Sequence, residues 1–145
     1  MTFKVYVFGR YLGTGSAVYL SSKESSRKVL LLSPYTTFAA MVKKHHLENF
    51  YNRLTRHLRS IDFIDKSEGL LFIFPGKKDG LIYCEESQEL FKKSEKNDKK
   101  ELYLIDGMGH NDVFNFQIEI CSIANNLLIN IVHLSKHRKR FTRIR

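Results

Sequence analysis

The 145 residues include no tryptophan, two prolines and only two cysteines. Two thiols, Cys84 and Cys121, cannot build the disulfide framework of a small secreted domain. No N-x-S/T glycan acceptor occurs, and Met1–Arg10 lacks the long apolar core and small-residue cleavage site of a secretory signal. A reducing, intracellular setting is therefore expected, cytoplasmic or peripheral to a membrane. No apolar run approaches the ~20 residues of a membrane span, so no spanning helix is expected. Acidic residues are also few, 15 against 24 Lys and Arg, which gives a net charge of +9. Composition otherwise reads as one globular domain, with 43% hydrophobic and 27% charged residues.

The positive charge is unevenly spread. Residues 135–145 hold six bases and no acid: Lys136, Arg138, Lys139, Arg140, Arg143 and Arg145. Without those six, 18 basic residues face 15 acidic ones, which is ordinary. The expectation is a domain over 1–134 followed by a basic tail over 135–145. Such a tail suits an anionic membrane surface or a protein partner, or else stays solvated. Nucleic acid is a weaker expectation. The aromatics Phe50, Tyr51, Phe72, Phe74, Phe114 and Phe116 fall where core faces are expected, and no RNP, KH or zinc-finger pattern is present.

Short apolar runs alternate with helical patterns. Phe3–Phe8 reads as a strand buried on both faces, ended by Gly9, and Ser16–Ser22 as a helix. Val29–Leu32 is a second strand, and His45–Arg59 an amphipathic helix carrying Leu47, Phe50, Tyr51, Leu54 and Leu58. Leu70–Phe74 is a third strand, Glu85–Ser94 a helix, and Leu102–Ile105 a fourth strand. Asp112 is placed as a helix N-cap ahead of a last helix, Phe116–Leu134. The alternation predicts a three-layer α/β sandwich with about four parallel strands.

In such a sheet, chemistry collects in the loops after the strands' carboxyl ends. Three of these loops carry notable residues: Gly9-Arg10-Tyr11-Leu12-Gly13, Pro75–Ile82 with Asp79, and Gly107–Asn111 with His110. Each also has a plain structural reading, Asp79 as a turn acid before Gly80 and His110 as a loop cap. His45 and His46 near Glu48 hint at a metal, but the spacing is not that of a zinc helix, and no metal or cofactor is expected. Cys84 and Cys121 are expected as packing residues.

The order of elbow, acid and histidine resembles the α/β-hydrolase superfamily. "VFGRYLGTGSAVYL" is similar to the nucleophile segment of its serine-aminopeptidase-like and acyl-protein thioesterase (depalmitoylase) branch, which reads G-R-S-L-G. "LLSPYT", "IDFIDK", "PGKKDGLI" and "GMGHND" follow in the same order, so the resemblance runs from about Phe3 to Leu134. It implies the C-terminal half of the fold, a triad made by position 11, Asp79 and His110, and an acyl-ester or thioester substrate. It also implies an oxyanion donor in the Leu12 N–H.

Two departures alter that implication. Tyr11 stands where the branch has serine, and a phenol on a rigid ring puts its oxygen several ångströms beyond a serine hydroxyl. Ser16 lies more than a helical turn past the elbow and cannot substitute. Met1 falls at the start of the family's fifth strand, so the loop supplying a second oxyanion donor is expected to be missing. Loss of one such donor costs ~3 kcal/mol in a working protease. The expectation is an inactive hydrolase-like protein. The alternatives are a cut-short or misread form of an active serine esterase or thioesterase, and a small basic module binding through its tail. The cut also predicts an uncovered edge at residues 3–8, available for self-association.

Overall fold

The computed structural model describes residues 6–23, 27–46, 59–129 and 141–144. Five strands form one sheet in the order β1-β2-β3-β4-β5. They are β1 (Tyr6–Arg10), β2 (Arg27–Leu32), β3 (Gly69–Phe74), β4 (Asn97–Ile105) and β5 (Phe141–Ile144). β1 to β4 are mutually parallel, and β5 runs antiparallel to β4. Helices α1 (Gly13–Ser21), α2 (Phe38–Lys44), α3 (Cys84–Lys93) and α4 (Gln117–Ile129) lie between and after them. The expected α/β sandwich with four parallel strands is the architecture found.

The hand of the connections explains the layers. Each parallel strand is added beside the previous one in the same direction, so right-handed crossovers put their helices on one face. There Ala17 and Val18 of α1 and Leu90 and Phe91 of α3 pack on Val29, Leu31, Leu71, Ile73, Leu102 and Leu104. The opposite face carries Leu32, Phe72, Phe74, Tyr103 and Ile105, covered by Val113, Phe116 and Ile120 from the segment after β4. Among the described residues that cover meets β1 at Arg10 through Phe114 and leaves Tyr6 and Phe8 53% and 62% exposed. The expectation of a strand buried on both faces is thus corrected. Apolar runs show that a strand wants cover, and here only one face receives it.

Other boundaries shift. β1 continues through Gly9 and Arg10, α1 begins at Gly13, and β4 starts at Asn97. Helix α2 was not anticipated; Thr37 caps it, its side-chain oxygen accepting from the Ala40 N–H at 2.9 Å. His45 and His46 close that helix instead of opening another, and most of the helix expected to 59 lies outside the described residues. Asp112 caps nothing: its carboxylate turns back to the Gly109 N–H at 2.9 Å, and a 3-10 turn, Val113–Phe116, precedes α4. Residues of the last helix beyond Ile129 lie outside the described set. Phe114 is 69% exposed and Cys121 is exposed, so neither is a packing residue as expected. Half-buried Cys84 has its thiol pushed up by burial and by the adjacent Glu85. No helix among the described residues is long and apolar enough to cross a membrane.

Part of the expected basic tail belongs to the sheet. Arg143, on β5 opposite Tyr103, donates to the carboxylate of Glu101, which is 1% exposed and also accepts from the Tyr103 hydroxyl. Burial alone would push this carboxyl up. Tyr103 and Arg143 outweigh it and hold Glu101 below the ordinary carboxylate range. A folded pKa below the unfolded one gives stability that is present above about pH 4.3 and lost as pH falls through the folded value. Arg143→Met should therefore cost about 1–3 kcal/mol at pH 7. It should also flatten the loss of stability below pH 4, as read from urea midpoints across that range.

Candidate active site

Because β1 to β4 are parallel, the loops leaving them open on one end of the sheet. The first is the turn from β1 into α1, completed within Tyr11 and Leu12. Tyr11 takes φ 50, a left-handed conformation that bulky residues rarely adopt. The turn is held from both sides. The Tyr11 N–H donates to the Leu32 carbonyl at 3.1 Å, and the Tyr11 carbonyl accepts from the Thr14 N–H at 3.0 Å and its hydroxyl at 2.5 Å. Gly9 is needed here, since a Cβ would lie 2.7 Å from the Ala17 Cβ and 2.8 Å from the Thr14 Cα. Gly13 has open space around it, so its place at the elbow is not steric.

The second loop follows β3. Asp79 is 3% exposed and its Oδ1 accepts from the N–H groups of Leu81 at 3.0 Å and Ile82 at 2.8 Å. The third loop follows β4 and crosses back over the second. At Gly76 a Cβ would lie 2.2 Å from the Met108 carbonyl oxygen, and the Lys78 N–H donates to that same carbonyl at 3.0 Å. This close backbone approach brings His110 to Asp79, with Nδ1 3.1 Å from both carboxylate oxygens. Lys77 pairs with Asp106 at 2.6 Å, an exposed contact away from Asp79.

Tyr11 reaches His110 although β1 and β4 are three strand spacings apart, roughly 14 Å. The two rings stack with centroids 3.9 Å apart and planes at 23°. The Tyr11 hydroxyl donates to the main-chain carbonyl of His110. The structure thus brings Tyr11, Asp79 and His110 together, with Gly9 and Leu12 forming the turn.

Two neighbours were not anticipated. The Arg10 guanidinium lies 4.3 Å from the Tyr11 ring and 5.1 Å from the Phe114 ring, and donates to the Tyr11 hydroxyl at 3.1 Å. Fully buried Tyr35 donates its hydroxyl to the Leu12 carbonyl at 3.3 Å, and burial pushes its phenol up to about 12. Tyr35 could have been suspected from its place just past the end of β2, while Arg10 carries no local signal. Elsewhere, His45 Nε2 lies 2.7 Å from the Leu81 carbonyl oxygen. No cluster of three metal-ligating side chains occurs among the described residues. Of the tail bases, only Arg143 falls within those residues.

Solved structures give the same architecture. An esterase of Pyrococcus furiosus superposes with a TM-score of 0.68 at 18% identity, over 88% of this chain and 54% of its own. An α/β-hydrolase enzyme from a Medee basin deep-sea metagenome gives 0.67 at 9% identity, over 92% and 68%. A monoacylglycerol lipase of Paleococcus ferrophilus gives 0.61 at 13%, over 88% and 68%. At these identities the likeness is one of fold, and the chain spans about half the length of the Pyrococcus esterase. No family model and no curated protein sequence matches the chain.

The Gly76 contact makes a matched test. Gly76→Ala must push the Met108 backbone away and should cost about 1–3 kcal/mol. Gly80→Ala, in open space within the same loop, should stay within about 0.5 kcal/mol of the parent in urea denaturation.

Proposed function

We propose that this chain is an α/β-hydrolase-like protein of the esterase and thioesterase lineage whose serine-type chemistry is blocked at the nucleophile position. The observation that carries this reading is the Tyr11 ring laid on His110 at 3.9 Å. Acyl transfer needs a small hydroxyl beside the imidazole, with open space in front of it for a carbonyl carbon. Here an aromatic ring takes that space. Its hydroxyl points past the imidazole to a backbone carbonyl, so His110 does not act on it as a base.

The His110–Asp79 pair still has the geometry of a base and its orienting acid. A base without a nucleophile does not make an acyl-enzyme. The Leu12 N–H, the first amide after Tyr11, is the one oxyanion donor this reading assigns. The role left to the protein is binding, with the basic stretch Lys136–Arg140 as its electrostatic contact.

The test uses the 145-residue chain, a fluorophosphonate probe and p-nitrophenyl butyrate. No adduct should form, and hydrolysis should stay at the buffer rate. An adduct on Tyr11, or turnover abolished by Tyr11→Phe, overturns the proposal. A parallel measurement addresses the shielding itself: carbethoxylation of His110 by diethyl pyrocarbonate should speed up at least tenfold in Tyr11→Ala. An unchanged rate would show that the ring does not cover the imidazole.

A further inference from the structure

We infer that Arg10 is the residue that positions the Tyr11 ring on His110, and that Phe114 holds Arg10 in place to do so. The inference rests on the blocked site proposed above and names what keeps it blocked. The elbow fixes the Tyr11 backbone at φ 50, yet a side chain on a fixed backbone still has several staggered rotamers. Some contact must select the one that covers the imidazole. The ring stack and the hydroxyl bond to the His110 carbonyl both come from the His110 loop. Arg10 supplies the contact from the strand side. Its guanidinium lies 4.3 Å from the ring centroid and donates one N–H to the hydroxyl at 3.1 Å.

These hydrogen bonds form a directed chain. The Tyr11 oxygen accepts from Arg10, its own proton goes to the His110 carbonyl, and each bond polarises the next. No acid competes for the guanidinium: among the described residues Arg10 makes no ion pair, and its Nε is buried without a hydrogen-bond partner. An unpaired buried N–H costs free energy. The contacts that offset it are the Tyr11 hydroxyl and two aromatic rings, Tyr11 and, at 5.1 Å, Phe114. Phe114 is 69% exposed and so lies outside the core. Its contact with Arg10 ties the segment after β4 to the last residue of β1, across the mouth of the site.

His110 reports on this clasp because Asp79 engages Nδ1, which leaves Nε2 for diethyl pyrocarbonate. In the full 145-residue chain, carbethoxylation of His110 is followed by mass spectrometry of its peptide. The rate should rise about threefold or more in Arg10→Met. Arg10→Lys keeps a cation for the rings and should fall between that variant and the parent. Phe114→Ala alters an exposed side chain, so it should keep the parent circular dichroism and still quicken the reaction about twofold. Tyr11→Ala sets the upper limit. Adding Arg10→Met to it should bring no further gain, since Arg10 acts through the ring, whereas a general loosening of the fold would add to the rate. Either Arg10→Met or Phe114→Ala reacting at the parent rate while Tyr11→Ala is fast would overturn the inference and leave the blocked site standing. A double variant clearly faster than Tyr11→Ala would overturn it too. Tyr11→Ala itself at the parent rate would overturn the blocked site, and this inference with it.

Discussion

The turn at Tyr11 is the constraint from which the rest of the site follows. A strand that becomes a helix within two residues must pass through a left-handed conformation, here φ 50. For a non-glycine residue that costs of order 1–3 kcal/mol, which the surrounding contacts must offset. Those contacts are identifiable: the Leu32 carbonyl, the Thr14 hydroxyl and amide, and α1 packed so tightly on β1 that only glycine fits at position 9. The result is a side chain projected over the carboxyl end of the sheet. The side chain at position 11 is directed toward His110, and the tyrosine meets it ring to ring.

Much of this was legible in the sequence because parallel strands leave a strong trace. Leu70–Phe74 and Leu102–Ile105 read as strands because both faces demand apolar residues, and the loops after them must hold the polar groups. That logic places Asp79 and His110 in neighbouring loops from the sequence alone. It could not place Arg10, whose role depends on rings brought from residues 11 and 114. Nor could it find β5. The alternation in Phe141–Ile144 is four residues long, and it follows a run of bases that looks solvated unless one knows that a buried Glu101 waits for Arg143. Helix α2 escaped for a similar reason: seven residues are too few to show a period, and a single capping Thr37 is a weak signal.

The exposed aromatics of β1 mark a different limit. An apolar run states that a surface should be covered, but the covering layer is a property of the whole topology. Same-handed crossovers send α1 and α3 to one face. Among the described residues the other face receives the segment after β4, which packs mainly on β2, β3 and β4. Tyr6 and Phe8 are bare because of where the connections run, and no local pattern in residues 3–8 encodes that.

The same reasoning separates Asp79 and His110, which the fold itself uses, from the side chain at residue 11. Asp79 has a structural duty independent of chemistry: its buried carboxylate satisfies two backbone N–H groups of its own loop as well as the imidazole. Replacing it would strand those groups at about 1–3 kcal/mol each. His110 in turn fills the space between that carboxylate and the elbow. Position 11 is constrained in its backbone, which the strand, Leu32 and Thr14 hold whatever the side chain. Its side chain projects over the loops, where a ring can stack on the imidazole as readily as a hydroxyl can stand beside it. An acid and a histidine in place are therefore weak evidence of turnover in this architecture, since folding alone accounts for them. The residue that reports on chemistry is the one the fold leaves free, and in this chain it is an aromatic ring.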